Sequence, residues 1–162
     1  MGAIKKFTKR GLRSIVGGRS PVRIVEELIV RKGFDPDACK TEDESGSVRW
    51  MFAVRDACEL EILIEGKDSK EDATVYLGLN VLTVPIRGAG DVLAAALEVA
   101  DGLIGVKVSL VGHYLVLSAG LSAQGITVED LEYHVRLIEA QESWFRDAVA
   151  SNLGWDVAGD VE

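Results

Sequence analysis

The sequence predicts an α+β domain in which a mainly antiparallel β-sheet carries helices packed on one face. Three observations lead there. Residues 59–65 alternate strictly, with Leu60, Ile62 and Ile64 on one side and Glu59, Glu61 and Glu65 on the other. That is the pattern of a strand buried on one face only. Two apolar runs, 106–111 and 114–119, stand on either side of Gly112-His113 and read as a hairpin. Within residues 127–153, Val128, Leu131, Val135, Ile138, Phe145, Val149 and Leu153 recur at the three- and four-residue steps of one helix face. At about 1.5 Å per residue that last helix is roughly 40 Å long, so it needs a broad apolar floor, which the sheet supplies. Strands clustered apart from helices, in the order α-β-β-β-α-β-β-α, separate this class from alternating βα folds.

The elements follow in chain order. Residues 1–18 have the pattern of a basic amphipathic helix: Ile4, Phe7, Leu12, Ile15 and Val16 fall on one side, Lys6, Lys9, Arg10 and Arg13 on the other. Two readings stand side by side. One is an N-terminal arm that is ordered only by contacts with other molecules. The other is a segment that lies on an anionic membrane through Ile4, Lys5, Lys6, Phe7, Lys9, Arg10 and Arg13. The first core helix is expected over 21–32, with Ser20 as N-cap, Pro21 at the first helical position, and Val22, Val25, Leu28 and Ile29 as its buried stripe. Gly33 ends it and Pro36 prevents simple continuation.

Residues 38–42 are expected as a short edge strand and 43–46 as a turn. Residues 48–55 make the next strand, with Trp50, Phe52 and Val54 pointing one way, and Asp56-Ala57 the next turn. After the strand over 59–65, residues 66–72 form a charged loop. Residues 74–84 form a strand bent near Gly78 and ended by Pro85. The second helix is expected over 91–102, capped by Asp91 and closed by Gly102; its alanine run, 94–96, permits close approach of another element. After the hairpin, 120–125 form a loop into the last helix. Thr127 is its N-cap, with Asp130 three residues on as in a capping box, and Gly154 lies just past its end. The domain organisation is thus a basic arm over 1–19, one α+β domain over 20–155 and an acidic tail over 156–162.

Composition narrows the function. The 162 residues suit one domain, and 48% hydrophobic residues suffice for a sizeable core. A formal net charge of −8 argues against nucleic acid as a partner, since phosphate binding needs cationic surface. The charge is uneven: residues 1–19 hold six basic residues and no acid, and the rest carries a net −14. Cys39 and Cys58 fit no metal or redox spacing and read as reduced, partly buried thiols of a cytoplasmic protein. No apolar run approaches the 18–20 or so residues of a membrane span. The N-terminus has no apolar secretory core, and Lys6 stands where a myristoylation signal carries Ser or Thr.

The sequence carries no reactive constellation. His113 reads as a turn residue and His134 as a partner of Asp130, four residues earlier. Ser118 and Ser122 lack a nucleophile elbow. The Gly88-Ala89-Gly90-Asp91 run lacks the lysine of a phosphate loop and the third glycine of a dinucleotide fingerprint. No catalytic residue, cofactor or metal ligand is therefore expected. More informative is a second apolar strip on the last helix, Leu137, Trp144 and Ala148, continued by Trp155. It reads either as a wide contact with the sheet or as a partner surface anchored by aromatics. Glu142 interrupts the main stripe; it marks where the helix leaves the core, or it meets a buried arginine.

The element order, together with the helix over 91–101, the hairpin over 106–119, the Gly-Ile-Thr-Val-Glu-Asp-Leu entry at 125–131 and the Trp144-Phe145 pair, resembles the bacterial YbjN-like family of sensory transduction regulators. The resemblance spans residues 22–153 and implies a fold like that of type III secretion chaperones. It also implies a homodimeric, non-enzymatic domain that binds another protein or peptide and pairs with itself through the second helix and the neighbouring strand. Val92, Ala95, Ala96 and Val99 of that helix, with Leu137, Trp144, Ala148 and Trp155, are the candidate dimer or client surface. The expected function is a chaperone-like or adaptor domain acting as a homodimer in the cytoplasm. A membrane-peripheral protein recruited through residues 1–19 is the alternative, and a small-molecule enzyme has least support.

Overall fold

Alternation and helical period are both realised in the computed structural model, which describes residues 19–42, 47–55, 58–66 and 73–155. The basic arm over 1–18 with its membrane contacts, the turns at 43–46 and 56–57, the loop over 67–72 and the tail over 156–162 lie outside the described residues. The elements are α1 (Pro21–Arg31), α2 (Pro36–Cys39), β1 (Lys40–Glu42), β2 (Val48–Arg55), β3 (Cys58–Glu65), β4 (Thr74–Thr83), α3 (Ala89–Ala100), β5 (Lys107–Val111), β6 (Tyr114–Ser122) and α4 (Val128–Asn152). The six strands form one sheet in the order β1-β2-β3-β4-β6-β5, and every pairing is antiparallel.

Side chains alternate between the faces of a sheet, so the registers decide what is covered. Trp50, Ile62, Leu77 and Ala119 line up across four strands, and Phe52, Leu60, Leu79 and Leu117 form the row beside them. All eight are buried. Onto this face α1 brings Val25, Leu28 and Ile29, α3 brings Val92 and Ala96, and α4 brings Leu131, Val135, Ile138, Phe145 and Val149. Each large aliphatic or aromatic side chain buried this way contributes on the order of 1.5–3 kcal/mol. The expected α+β architecture, with helices on one face of an antiparallel sheet, is the one observed.

The helix ends show how local chemistry sets the boundaries. At the start of α4, the Asp130 amide donates to Thr127 Oγ1 (3.1 Å), and the Thr127 amide and hydroxyl donate to Asp130 Oδ2 (3.0 and 2.7 Å). This is the expected capping box. The Thr127 hydroxyl, and then its amide, hold the Asp130 carboxyl below the usual carboxylate range. At the end of α1, Gly33 sits at φ 90° while the Phe34 amide donates to Ile29 O (3.1 Å) and the Gly33 amide to Val30 O (3.0 Å). That closing pair satisfies two otherwise orphaned carbonyls.

Several boundaries differ from expectation. Residues 36–39 form the one-turn α2 instead of the start of a strand, because Asp35 accepts from the Asp37 amide (3.0 Å) and Pro36 fits the first helical position. Ser20 stands at the N-cap of α1 but makes no side-chain capping bond. Gly88, not Asp91, precedes α3, which places Asp91 in the first turn. The irregularity of β4 falls at Asn80–Leu82, where the register against β6 shifts. Gly78 instead admits Val116, whose Cγ1 lies 3.2 Å from where a β-carbon would stand. β6 runs on to Ser122, since Thr74 still has a partner there. His134 Nδ1 meets the carbonyl oxygen of Asp130 (2.8 Å), not its carboxylate, which the cap already occupies.

Glu142 is 5% exposed and within α4. Its Oε1 pairs with Arg146 Nη1 at 2.9 Å, one helical turn on, and lies 3.9 Å from Cys58 Sγ. The arginine it meets reaches in from the surface rather than being buried itself. Two predictions follow from these features. Arg146→Ala strands a buried carboxylate and lowers stability by about 1–3 kcal/mol in urea unfolding, whereas Glu142→Met, which leaves Arg146 free to reach water, is neutral or stabilising. For Asp130 the folded pKa is depressed, so its contribution is full above the ordinary aspartate value and fades as pH falls through the lowered one. Asp130→Asn therefore lowers the urea midpoint at neutral pH, and the gap to the parent closes on acidification.

Candidate functional site

The second apolar strip of α4 does not spread over the sheet. It holds the connection between α3 and β5. Trp144 lies on Gly102: a β-carbon there would come within 2.5 Å of the indole ring, so only glycine allows the ring this position. Leu137 packs on Gly105 in the same way, with Cδ2 3.2 Å from where a β-carbon would stand. Between them Gln141 grips one backbone unit from both sides. Its Oε1 accepts from the Ile104 amide (2.8 Å) and its Nε2 donates to the Ile104 carbonyl (3.0 Å). Residues 137, 141 and 144 share one α4 face, and together they fix how the connection leaves the helix.

What this connection presents is apolar. Leu97 of α3 is 71% exposed and Ile104 of the connection 75%. Leu110 and Val111 of β5 are also exposed. β5 is an edge of the sheet, paired only with β6 among the described strands. Leu110 belongs to the helix-facing side by its register with buried Leu115, yet no helix closes over it. Three successive pieces of chain thus expose aliphatic side chains beside an open strand edge.

The predicted partner surface divides here. Val92, Ala95, Ala96 and Val99 face inward and belong to the chain's own core. The side of α3 turned outward carries Leu97 instead, because the small residues lie against the core. Leu137 and Ala148 are half-buried, and Trp144 is half-exposed on the connection. Trp155 lies elsewhere, beside a groove of 540 Å³ between α3 and the end of α4. Arg87, Asp91 and Glu98 line one side of that groove, Asn152, Leu153 and Trp155 the other. Asn152 Nδ2 donates to Glu98 Oε2 at 3.4 Å. Among the described residues no group of three or more His, Cys, Asp or Glu side chains could hold a metal ion, and no helix is long and apolar enough to cross a membrane. Neither Cys39 nor Cys58 is in a disulfide.

Comparison with solved structures bears on this geometry. The structure of the ExsC–ExsE complex matches at a TM-score of 0.54 and 15% identity, over 78% of this chain and 90% of the matched one. The secretion chaperone-like fold is shared. At that identity the likeness shows the fold alone. The HopA1–SchA chaperone–effector complex matches at 0.49 and 11% identity, over 77% of this chain and 91% of the other. The Yersinia pestis type III secretion chaperone SycH, in complex with a stable fragment of YscM2, matches at 0.48 and 11%, over 77% and 98%. Those two scores carry no argument of their own. No protein-family model matches the sequence, the YbjN-like one included, and no curated protein matches it.

Ile104, Leu110 and Gln141 were not singled out from the sequence, and Leu97 reads there only as one of the apolar residues of the second helix. A signal was present for Leu97: α3 is apolar on nearly all sides, so something apolar had to face outward. Gln141 gave none, since a lone polar residue in an apolar strip looks like an interruption. Its role is open to direct measurement. Gln141→Ala should speed amide hydrogen exchange at Ile104 tenfold or more. Gln141→Glu, which keeps the acceptor and loses the donor, should speed it less. Equal protection in all three proteins would deny the clamp.

Proposed function

We propose that this chain is a non-enzymatic, chaperone-like domain that binds other proteins and works as a homodimer. The observation that carries the reading is the α3–β5 edge, where Leu97, Ile104, Leu110 and Val111 are exposed next to a strand whose outer edge has no partner among the described strands. An open strand edge flanked by aliphatic side chains is a template for another chain. A second copy meets it with the same surface, as two-fold pairing requires. The fold shared with a chain of the ExsC–ExsE complex, itself an assembly of two proteins, supports a role in protein binding. The sequence pattern of the YbjN-like family supports the same role, with protein or peptide as the client.

Dimerisation at this edge leaves the remaining surface to the client, and the acidic domain keeps the assembly soluble. Light scattering at micromolar concentration should return twice the 17.5 kDa of one chain. Leu97→Asp should weaken pairing at least about 30-fold, the effect of removing a central apolar anchor worth 2 kcal/mol or more. Circular dichroism should stay unchanged, because Leu97 takes no part in the core. A parent chain that stays monomeric at these concentrations would sink the homodimer reading.

A further inference from the structure

The groove between α3 and the end of α4 has a chemistry that the α3–β5 edge lacks. Asp91 and Glu98 are both exposed on its rim, seven residues apart on one helix face, or roughly 10 Å. Opposite them stands Trp155, partly exposed, with Leu153 beside it. Ala94, Ala95 and Gly88 complete the lining without filling it. Arg87 is the one cation among the described lining residues. Carboxylates facing an indole across a groove of 540 Å³ suit a basic side chain, which is held by charge on one side and by the ring on the other.

Several other acids of the domain are already engaged. Glu26 pairs with Lys40, Glu27 with Arg31, Glu139 with Lys32, Glu132 with Arg136 and Glu61 with Arg49. Asp91 and Glu98 have no ion-pair partner among the described residues.

We propose that this groove takes a basic amphipathic segment, and that residues 1–18 of the same chain are that segment. Residues 1–18 hold five basic residues, no acid, and an apolar set of Ile4, Phe7, Leu12, Ile15 and Val16. Lys6 and Arg13 stand seven residues apart, the spacing of Asp91 and Glu98. Residues 1–18 run directly into α1, which packs along α4, the helix whose end lines the groove. Attachment to the same chain raises the local concentration of the segment above that of a free peptide. An anionic membrane, by contrast, repels the net −13 of the remaining chain. The proposal goes beyond the dimer reading and does not depend on it.

Photo-crosslinking of the full chain tests it. Phe7→p-benzoylphenylalanine should crosslink to residues 88–98 or 152–155. In an equal mixture of isotope-labelled and unlabelled protein, the crosslinked peptides should come from one chain. Asp91→Lys with Glu98→Lys should cut the yield at least tenfold, and the milder Asp91→Asn with Glu98→Gln should cut it less. Glu59→Lys with Glu65→Lys, on the opposite sheet face, should leave it unchanged. All four positions are exposed, and circular dichroism checks that each variant stays folded. Crosslinks between labelled and unlabelled chains would overturn the proposal in favour of a second copy. Crosslinks confined to the sheet face would overturn it as well. So would an empty groove in a chain that co-sediments with phosphatidylserine vesicles through residues 1–18.

Discussion

The sheet has one face to bury, and α4 is the rod that buries it. The central strands set two rows of large apolar side chains in register on that face. α4 lies over β4 and β6 at the centre of the sheet and packs Leu131, Ile138, Phe145 and Val149 into the core, while α1 lies over β3. The opposite face follows from the same constraint. No described helix covers it, so it carries Arg49 and Glu61 as an ion pair at 2.7 Å, with Tyr76 lying near Gly120. One-sided burial is why β3 alternates so cleanly, and why a register slip of one residue would turn every core side chain of a strand into solvent.

The same rod has a second duty. Its main stripe meets the sheet, and a strip turned away from that stripe, Leu137, Gln141 and Trp144, meets the connection from α3 to β5. A helix that contacts two other layers couples them: α3 and its connection to β5 cannot shift against the sheet without breaking contacts to α4. Charge plays a lesser part in this coupling. Arg31 of α1 reaches Glu27 at 2.8 Å and Glu129 at 3.0 Å, and its pKa is raised by its hydrogen bonds to Glu129 and then Glu27. Lys32 reaches Glu139 at 2.9 Å. The solvent-facing pairs of Arg31 contribute little each, and Lys32–Glu139 is the part-buried one.

How much of this was legible in the sequence depends on which physics decided each feature. Burial leaves a periodic trace, so the strands at Val48–Arg55 and Cys58–Glu65 and the helices α1 and α4 were readable to within a residue or two. Capping leaves a short, specific trace, and Thr127 with Asp130 was readable for that reason. Features decided by contacts between distant residues left no such trace. The break in β4 looked natural at Gly78, but Gly78 is small because Val116 needs the room, and the register shift lies two residues on. The inward and outward sides of α3 could not be told apart, since Val92, Ala95, Ala96 and Val99 and the exposed Leu97 are all apolar or small. Only the position of α4 decides between them.

The outward leucine is the more telling half of that ambiguity. Single exposed apolar residues are ordinary on any protein surface, and Leu97 alone would need no explanation. A helix with alanines on its inner face, however, can sit close against its neighbours, and α3 does so. The chain then continues through a connection clamped by Gln141 and Trp144 into an edge strand, and each of these pieces turns another aliphatic side chain to the outside. If the chain worked alone, polar residues at 97, 104, 110 and 111 would satisfy the same backbone and improve solubility. The clamp would then hold in place a connection with nothing to present. Rigid support behind an apolar edge makes physical sense when the edge is used, because a pre-formed surface binds without first having to be ordered.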